Sequence, residues 1–268
     1  MKPTEAPGTV QRVLRVIQYF AQNRESTLKE MSEALSLPPS TCHRLLEIMK
    51  REGFIDTVRD KKKYCVGTEL IRVCAEIRSQ HDISTVAMPF VRKVSEETGE
   101  TVVFATYLRA IQKVCYTLKY DSSSPLRFDL RLNRPNSLIW GASGQSIAAF
   151  LPQRDVDLAY STEESLSAAG DTLPPREELE RKLSDVREKG YAITFGEKTP
   201  GSIGIGAPVF DKGGDVLGSL VLVYPSLRLA DHKHEQFAQL VRSAASDMSA
   251  LLVGNATDSS DRQEFVNS

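Results

Sequence analysis

Apolar and polar residues alternate at helical spacing through the first part of the chain. Residues 10–22 predict a first helix, and one face of it gathers the apolar residues Val10, Val13, Leu14, Ile17 and Phe20. A second helix is predicted to begin after Thr27, because Glu30 follows three residues later, which is the spacing of a capping box. The predicted buried face of this second helix comprises Leu28, Met31 and Leu35.

A third helix is predicted to begin at the Pro38-Pro39 pair, since the first position of a helix needs no N–H, and to end at Gly53. Its apolar stripe consists of Cys42, Leu45, Leu46 and Met49. Two short β-like runs then flank a polar turn at residues 59–63 and form a predicted hairpin. The order of helix, helix, turn, helix and hairpin predicts a winged helix-turn-helix domain over residues 1–67.

Residues 68–83 predict an amphipathic linker helix. Its apolar stripe consists of Leu70, Val73, Cys74 and Ile77. From residue 84 the pattern changes to helices and β-like runs. The predicted strands cover residues 101–108, 113–120, 191–197, 202–211 and 216–225. Helices at both ends of a mainly antiparallel sheet predict an α+β domain over residues 84–254, and the polar residues 255–268 are predicted to be a disordered tail.

The balance of charge differs between the two parts of the chain. Residues 1–67 contain 12 lysines and arginines against 8 aspartates and glutamates, whereas the remainder contains 22 against 27. A small basic domain is typical of a protein with a nucleic-acid partner. No apolar run reaches the ~18 residues of a transmembrane helix, and the N-terminus lacks the apolar segment of a signal peptide. We therefore expect a cytoplasmic protein with no membrane partner.

The cysteines and histidines predict neither a metal site nor a disulfide framework. The four cysteines are Cys42, Cys65, Cys74 and Cys115. They are too far apart for a C-x-x-C pair, so we expect reduced and mostly buried thiols. His232 and His234 are two residues apart and would point to different faces of a helix. We expect no cofactor and no bound metal.

The third helix carries a polar face beside its apolar stripe. Near the start of the helix this face comprises Ser40, Thr41, His43 and Arg44. In a helix-turn-helix the second helix of the pair enters the major groove with its N-terminal residues nearest the bases, so small residues suit its tip. Arg44 can form two hydrogen bonds to guanine. The wing residues expected at the DNA backbone or minor groove are Arg59, Lys61, Lys62 and Lys63.

Two other classes of function fit the chain less well. A hydrolase would need G-x-S-x-G at a strand–turn–helix elbow, and the sequence GASGQS at residues 141–146 lacks that spacing. A module that uses a winged helix for protein contacts alone would not need small and basic residues at the helix tip. The sequence therefore predicts a DNA-binding protein that is not an enzyme.

Two sets of motifs occur in the order of a known family. The first set comprises Leu37-Pro38, Ser40-Thr41, the His43-Arg44-Leu45-Leu46 run, Gly53-Phe54 and residues 64–70. The second set comprises GASGQSIAAFLP from Gly141, then Gly190-Tyr191, Glu197, Gly201 and the APVFD run at residues 207–211. Together they cover about residues 10–252 and resemble the IclR family of bacterial transcriptional regulators.

The resemblance implies an N-terminal winged helix-turn-helix, a linker helix and a C-terminal domain similar to the GAF fold. That domain is expected to bind a small organic acid or aromatic metabolite as effector. Members of the family form homodimers through the N-terminal part, and often homotetramers as dimers of dimers. They control catabolic genes as repressors or as activators, and a dimer would bind a roughly palindromic double-stranded DNA operator. The identity of the effector and the sign of regulation stay open.

The resemblance also places the effector pocket on one face of the sheet, closed by the small-residue turn. The matching positions are Ala142, Ser143, Gly144, Thr194, Gly204, Val221 and Val223, with Trp140 just before the turn. Backbone N–H groups at the helix start would bind a carboxylate. Val221 and Val223 stand where many members have small polar residues, Tyr224 where glycine is usual, and Gln145 where lysine is frequent. These departures predict an effector with an apolar or aromatic body, unless Trp140, Val221 and Val223 are core residues.

Overall fold

A division after Asp82 separates the computed structural model of the chain into two units. The structure describes residues 8–58, 61–80, 83–163, 167, 170, 172–228 and 232–264, without the side chains of 78–80, 232 and 254–264. The linker helix belongs to the first unit, and the whole six-stranded sheet belongs to the second.

The first unit is a winged helix-turn-helix, as the sequence predicts. Its elements are α1 Thr9–Phe20, β1 Glu25–Thr27, α2 Leu28–Leu35, α3 Pro39–Arg51, β2 Ile55–Thr57, β3 Lys63–Val66 and α4 Thr68–Gln80. The strands form an antiparallel sheet in the order β1-β3-β2. The short strand β1 was not predicted, because three residues carry no periodic pattern and this strand forms only by pairing with β3.

The predicted boundaries of α2 and α3 are confirmed by their capping groups. The Glu30 N–H donates to Thr27 Oγ1 at 3.2 Å, and the Thr27 N–H donates to Glu30 Oε2 at 2.8 Å. These two bonds form the capping box that the spacing predicts. Pro39 is the first residue of α3, and Gly53 follows its C-cap with a φ of 75°. The predicted stripe of α3, Cys42, Leu45, Leu46 and Met49, is buried in the core of this unit.

Two predicted apolar faces are only partly buried within the unit. On α1 the core residues are Val16 and Phe20, whereas Val10 and Leu14 are 73% and 53% exposed. Helical spacing shows which residues share a face, but it does not show which of two adjoining apolar faces packs against α2. On α4, Leu70 is buried, but Cys74 and Ile77 are exposed because only the start of this helix packs against β2.

The second unit is the predicted α+β domain. Its elements are α5 Ile83–Thr98, β4 Thr101–Leu108, β5 Lys113–Tyr120, β6 Pro135–Asn136, α6 Gly141–Ala148, α7 Gln153–Ser161, α8 Arg176–Lys189, β7 Ala192–Phe195, β8 Ser202–Phe210, β9 Val216–Pro225 and α9 His232–Glu264. The strands form one antiparallel sheet in the order β6-β5-β4-β9-β8-β7. The predicted Lys212-Gly213-Gly214 turn joins β8 to β9.

Helices cover both faces of this sheet, and strand β9 shows how the faces divide. Leu220, Leu222 and Tyr224 pack in the core shared with α5 and α9. Val221 and Val223 alternate with them and lie on the opposite face, which is the face that α6 approaches. The predicted effector positions on β9 therefore share one side of the sheet with the small-residue helix.

Three elements of the second unit differ from the sequence expectation. Helix α7 was not predicted, because only Val156 and Ala159 are buried in it and two residues make a weak periodic signal. The two-residue strand β6 was also missed, since it forms only by pairing with β5. Helix α9 continues to Glu264, past the predicted boundary at residue 254, and no proline or glycine follows Gly254 to end it. Residues 265–268 of the predicted tail lie outside the described residues.

Candidate functional site

The start of α3 presents the polar side chains that the sequence singles out. Ser40, His43 and Arg44 are exposed, and Thr41 is half-buried. Pro38 is the N-cap of α3 and Pro39 is its first residue. His43 Nε2 lies 4.0 Å from Glu47 Oε1, one turn along the helix. The exposed face formed by Ser40, Thr41, His43 and Arg44 is called the recognition surface below.

An open groove of about 440 Å³ runs between α1 and the recognition surface. It is lined by Ser40, Thr41 and Arg44 from α3 and by Thr9 and Arg12 from α1. Among the described residues the buried Arg12 Nε has no hydrogen-bond partner. Arg12 was missed from the sequence, because two elements, β1 and α2, separate α1 from α3 and only the packing of α1 brings Arg12 to this groove.

The three wing lysines differ in what they contact. Lys63 lies in β3, and its Nζ donates to Glu25 Oε1 at 2.6 Å across the sheet. This bond raises the pKa of Lys63 and lowers the pKa of Glu25. Lys61 Nζ approaches the same oxygen at 3.9 Å. Lys62 is exposed and, within the described part of the chain, forms no ion pair, while Arg59 lies outside the described residues.

In the second unit a serine-centred turn prepares the start of α6. Ser137 Oγ accepts hydrogen bonds from the N–H groups of Ile139 and Trp140, both at 3.0 Å. The same hydroxyl donates to Glu163 Oε2 at 2.8 Å, and Lys113 Nζ pairs with that oxygen at 3.1 Å. The Glu163 side chain is only 7% exposed, so this ion pair is a nearly buried brace for the turn.

The first backbone N–H groups of α6 are already occupied by the protein itself. The Gly141 N–H donates to Glu197 Oε2 at 3.1 Å, and the Ala142 N–H donates to Thr194 Oγ1 at 3.0 Å. Gln145 Nε2 donates to Glu197 Oε2 at 2.7 Å, and Lys182 pairs with Glu197 Oε1 at 3.3 Å. The expectation that these N–H groups await a ligand carboxylate therefore needs correction, because Glu197 supplies a carboxylate at this helix start.

A small cavity lies beside the start of α6 and brings together six of the eight predicted effector positions. These six are Ala142, Ser143, Thr194, Gly204, Val221 and Val223. The cavity measures about 30 Å³, which is roughly the room that one or two water molecules need. The alternation of residues along β9 places Val221 and Val223 on the wall of the cavity. The two alternatives for these valines, a ligand site or the core, therefore both hold, because they line the cavity and are also buried in a hydrophobic cluster.

The two remaining predicted positions, Trp140 and Gly144, do not line the cavity. A Cβ at Gly144 would lie 2.5 Å from the carbonyl oxygen of Leu138. Glycine at this position therefore lets α6 pack against the turn that precedes it. Trp140 is buried, and its Nε1 has no partner among the described residues. Tyr224 also lies elsewhere, since its hydroxyl bonds His234 Nδ1 at 2.7 Å on the α9 side.

The close approach of α6 to the sheet depends on glycine in β8. A Cβ at Gly206 would lie 2.6 Å from the carbonyl oxygen of Ala142, a distance that no real Cβ tolerates. Ser146 Oγ then reaches Ser219 Oγ at 2.8 Å and ties α6 to β9. Small residues at these positions therefore determine how near the helix start lies to the cavity.

Six residues that line the cavity were missed from the sequence: Tyr116, Leu130, Gly141, Lys198, Thr199 and Ser202. Lys198 Nζ donates to Ser143 Oγ at 2.9 Å and lies 5.5 Å from the centroid of the Tyr116 ring. The Tyr116 hydroxyl lies 3.3 Å from the same Ser143 oxygen. Gly141 gives one sequence signal for this arrangement, because its φ is 77° and a Cβ there would meet the Lys198 Cβ at 3.2 Å.

The described residues contain no group of three histidine, cysteine, aspartate or glutamate side chains placed to hold a metal ion. Over the same residues, no helix is both long enough and apolar enough to cross a lipid bilayer.

A winged helix with an exposed polar recognition surface is typical of DNA-binding proteins, and the α+β unit that follows it in the chain contains a lined cavity. The model of the bacterial transcriptional regulator IclR C-terminal family matches residues 75–250, and the model of the IclR helix-turn-helix domain matches residues 9–59. The chain therefore belongs to the IclR family of transcriptional regulators.

One curated relative and two solved structures are similar to the chain over most of its length. The transcriptional regulator KdgR of Escherichia coli is 28% identical over 253 residues, which cover 94% of this chain and 95% of KdgR. An IclR transcriptional regulator from Silicibacter has a solved structure with a TM-score of 0.82 at 21% identity, covering 92% of this chain and 96% of that one. An IclR homologue from Microbacterium hydrocarbonoxydans, solved with 4-hydroxybenzoate, has a TM-score of 0.74 at 22% identity, covering 90% and 97%.

Proposed function

We propose that this chain is a ligand-responsive, sequence-specific regulator of catabolic genes that acts in the cytoplasm as a repressor or an activator. The recognition surface binds a roughly palindromic double-stranded DNA operator. The cavity beside α6 binds a small organic or aromatic acid that changes the affinity for the operator. The observation that carries the proposal is the convergence of six predicted effector positions on one cavity, in a chain that also has an exposed recognition surface.

The exposure of the recognition surface supports the DNA-binding part of the proposal. In the proposed complex Ser40 and Thr41 allow the helix to approach the major groove closely, and Arg44, which lines the same groove of the protein, contacts base edges. The exposure of Lys61 and Lys62 supports a role for the wing in contacts to the phosphate backbone. Arg12 is a further candidate for a phosphate contact, because its guanidinium shares the groove with Arg44.

The walls of the cavity support an effector with an apolar body. Val221 and Val223 provide one side, and Leu130 with the Tyr116 ring provides another. Hydroxyl groups of Ser143 and Thr194 give the polar end. The Microbacterium homologue, whose solved structure contains 4-hydroxybenzoate, has the same fold as this chain and supports an aromatic acid as one class to test.

Exposed apolar residues in the first unit support a homodimer. Val10 and Leu14 on α1 and Ile71 and Ile77 on α4 are all more than half exposed, although each element is amphipathic. A dimer would place two recognition surfaces on half-sites about one helical turn apart, or a multiple of that distance. A homotetramer would arise as a dimer of such dimers.

Fluorescence anisotropy on labelled DNA from the region upstream of this gene and its neighbours tests the proposal. The measurement uses fixed salt and excess nonspecific competitor. Arg44→Ala is expected to cost ~1–3 kcal/mol of binding free energy on the preferred site and to relax its specificity, because a base contact is lost. Arg154→Ala is the matched control, since Arg154 is exposed and lies in the second unit.

The outcomes separate the two readings of the winged helix. If Arg44→Ala binds every DNA sequence with the same affinity as the parent protein does, the assigned recognition surface is wrong. A module used for protein contacts alone would bind its partner unchanged in Arg44→Ala and would bind no DNA that survives the competitor. Addition of acids to the same assay then measures release or tightening, and linkage requires DNA to change acid affinity by the same factor.

A further inference from the structure

A carboxylate that enters the cavity beside α6 needs a positive partner, and the backbone N–H groups at the start of a helix are the usual one. At α6 these groups are occupied, because Glu197 accepts a hydrogen bond from the Gly141 N–H and Thr194 accepts one from the Ala142 N–H. A ligand carboxylate at that place would meet the charge of Glu197. The stabilising charge for an acid must therefore come from another part of the cavity wall.

Lys198 is the one charged side chain among the described residues that line the cavity. Its Nζ is partly buried, donates to Ser143 Oγ at 2.9 Å and lies over the Tyr116 ring. No carboxylate of the described residues lies within 4.0 Å of this Nζ, while the neighbouring Glu197 is paired with Lys182. The ammonium thus has a hydroxyl and a ring as neighbours, and none of the described residues supplies it with a counter-ion.

Neutral neighbours leave most of the charge of a partly buried ammonium uncompensated. Lysine has three donors, so after bonding Ser143 it can still donate to an incoming oxygen. Gly141 leaves room for the carbon stem of Lys198, since a Cβ there would lie 3.2 Å from Lys198 Cβ. The arrangement is therefore prepared for one anionic group at the Ser143 side of the cavity.

We propose that Lys198 determines the specificity of this cavity for monocarboxylates, with the carboxylate bridging Lys198 Nζ and Ser143 Oγ. The apolar body of the acid then lies along Val221 and Val223, in the space that the Leu130 side chain takes up in the described structure. This inference rests on the proposed function, in which the cavity is the effector site. It adds the residue that recognises the acid and the net charge that the acid carries.

One cation in the site selects against two kinds of ligand. A neutral amide of the same shape would leave the ammonium without a counter-charge, and a dicarboxylate would bring a second charge into an apolar wall without a partner. The expected order of affinity is monocarboxylate first, with its amide and the corresponding dicarboxylate well below it.

Isothermal titration calorimetry on the full-length protein tests this order. The probes are benzoate, phenylacetate and butyrate, each compared with its amide, and phthalate as a dicarboxylate. The parent protein is expected to bind at least one of the acids about ten- to hundredfold more tightly than the matching amide. This comparison needs no variant and so does not depend on whether a substitution folds.

The second arm measures the same acid on Lys198→Met, Lys198→Arg and the control Lys212→Met. Lys212 is exposed in the turn between β8 and β9 and does not line the cavity. Lys198→Met is expected to lose about ten- to hundredfold in affinity for the acid and little for the amide. Lys198→Arg keeps the charge and is expected to keep the preference for acid over amide, and Lys212→Met is expected to match the parent.

Two failures have different meanings. Tight binding of an acid that Lys198→Met retains, or equal affinity of acid and amide for the parent protein, overturns the role of Lys198 and leaves the cavity as an effector site. Absence of binding by every acid, at millimolar concentration and with DNA binding intact, overturns the acid-sensing function and this inference with it.

Discussion

At the tip of α3 the polar groups of Ser40, His43 and Arg44 face outward, whereas at the start of α6 nearly every polar group has a partner within the chain. A DNA groove is large and strongly charged, and the polar side chains that bind it are hydrated in the free protein, so their exposure costs little folding free energy. A cavity is different, because polar groups that are buried without partners destabilise the folded state. Exposed residues therefore identify the first site, while the network of hydrogen bonds around the second site identifies that one.

Substitutions should therefore separate the two units. In the second unit a broken network should lower stability, and in the first unit a removed polar side chain should lower DNA affinity while stability is unchanged. Trp140 makes the distinction measurable, since it is the single tryptophan of the chain and is buried in the second unit. Its fluorescence follows unfolding of that unit.

The largest effect is expected from Lys113→Met. Glu163 would be left with a side chain only 7% exposed and with no cation beside it among the described residues, while Ser137 still donates to it. Breaking a nearly buried ion pair in this way should lower the free energy of unfolding by about 3 kcal/mol. Denaturant titration followed by Trp140 fluorescence measures the change, with the exposed Lys212→Met as control. Identical midpoints for the two variants would contradict the importance of this brace.

A smaller effect is expected from Gly206→Ala. The new Cβ would meet the carbonyl oxygen of Ala142 at 2.6 Å, so α6 must move away from β8. We expect a loss of about 1–3 kcal/mol in the free energy of unfolding, measured by the same titration. Gly213→Ala is the control, because its Cβ would meet only the flexible Asp211 side chain at 3.2 Å. An unfolding midpoint for Gly206→Ala equal to that of the parent protein would show that α6 does not pack closely against β8.

The smallest effect is expected from Lys62→Ala on the wing. Lys62 is exposed and forms no ion pair within the described part of the chain. Its loss should therefore lower the affinity for all DNA sequences about equally. The slope of log affinity against log salt concentration should fall by about one for a lost phosphate contact. Lys63→Ala is the comparison, because Lys63 is bound to Glu25 and should change the slope less. Equal slopes for Lys62→Ala and the parent would place Lys62 outside the interface.

The sequence predicts the first unit well where its signals are local. The Thr27–Glu30 capping box, the prolines before α3 and the stripe of α3 are all found, because each depends on neighbours within one helix. Sequence patterns do not predict burial where the packing of a second element determines it. Periodicity places Val10 and Leu14 with the buried residues of α1, but the packing of α2 selects the adjoining face.

The cavity shows the same division between local and distant causes. The small residues Ala142 and Gly204 have a visible pattern, and the structure brings them together. Lys198 has no such pattern, since it lies beyond the end of β7 and reaches Ser143 only because α6 packs on the sheet. Glu197 could be predicted as a motif residue, but not that it occupies the N–H of Gly141.

The size of the cavity has a further consequence for the timing of regulation. A space of about 30 Å³ cannot hold an aromatic acid unless a wall residue such as Leu130 first moves aside. The observed affinity is then the intrinsic affinity of the opened form reduced by the fraction of molecules in that form. The rate of response would level off as the acid concentration rises, because opening of the protein, and not encounter with the acid, becomes the slow step.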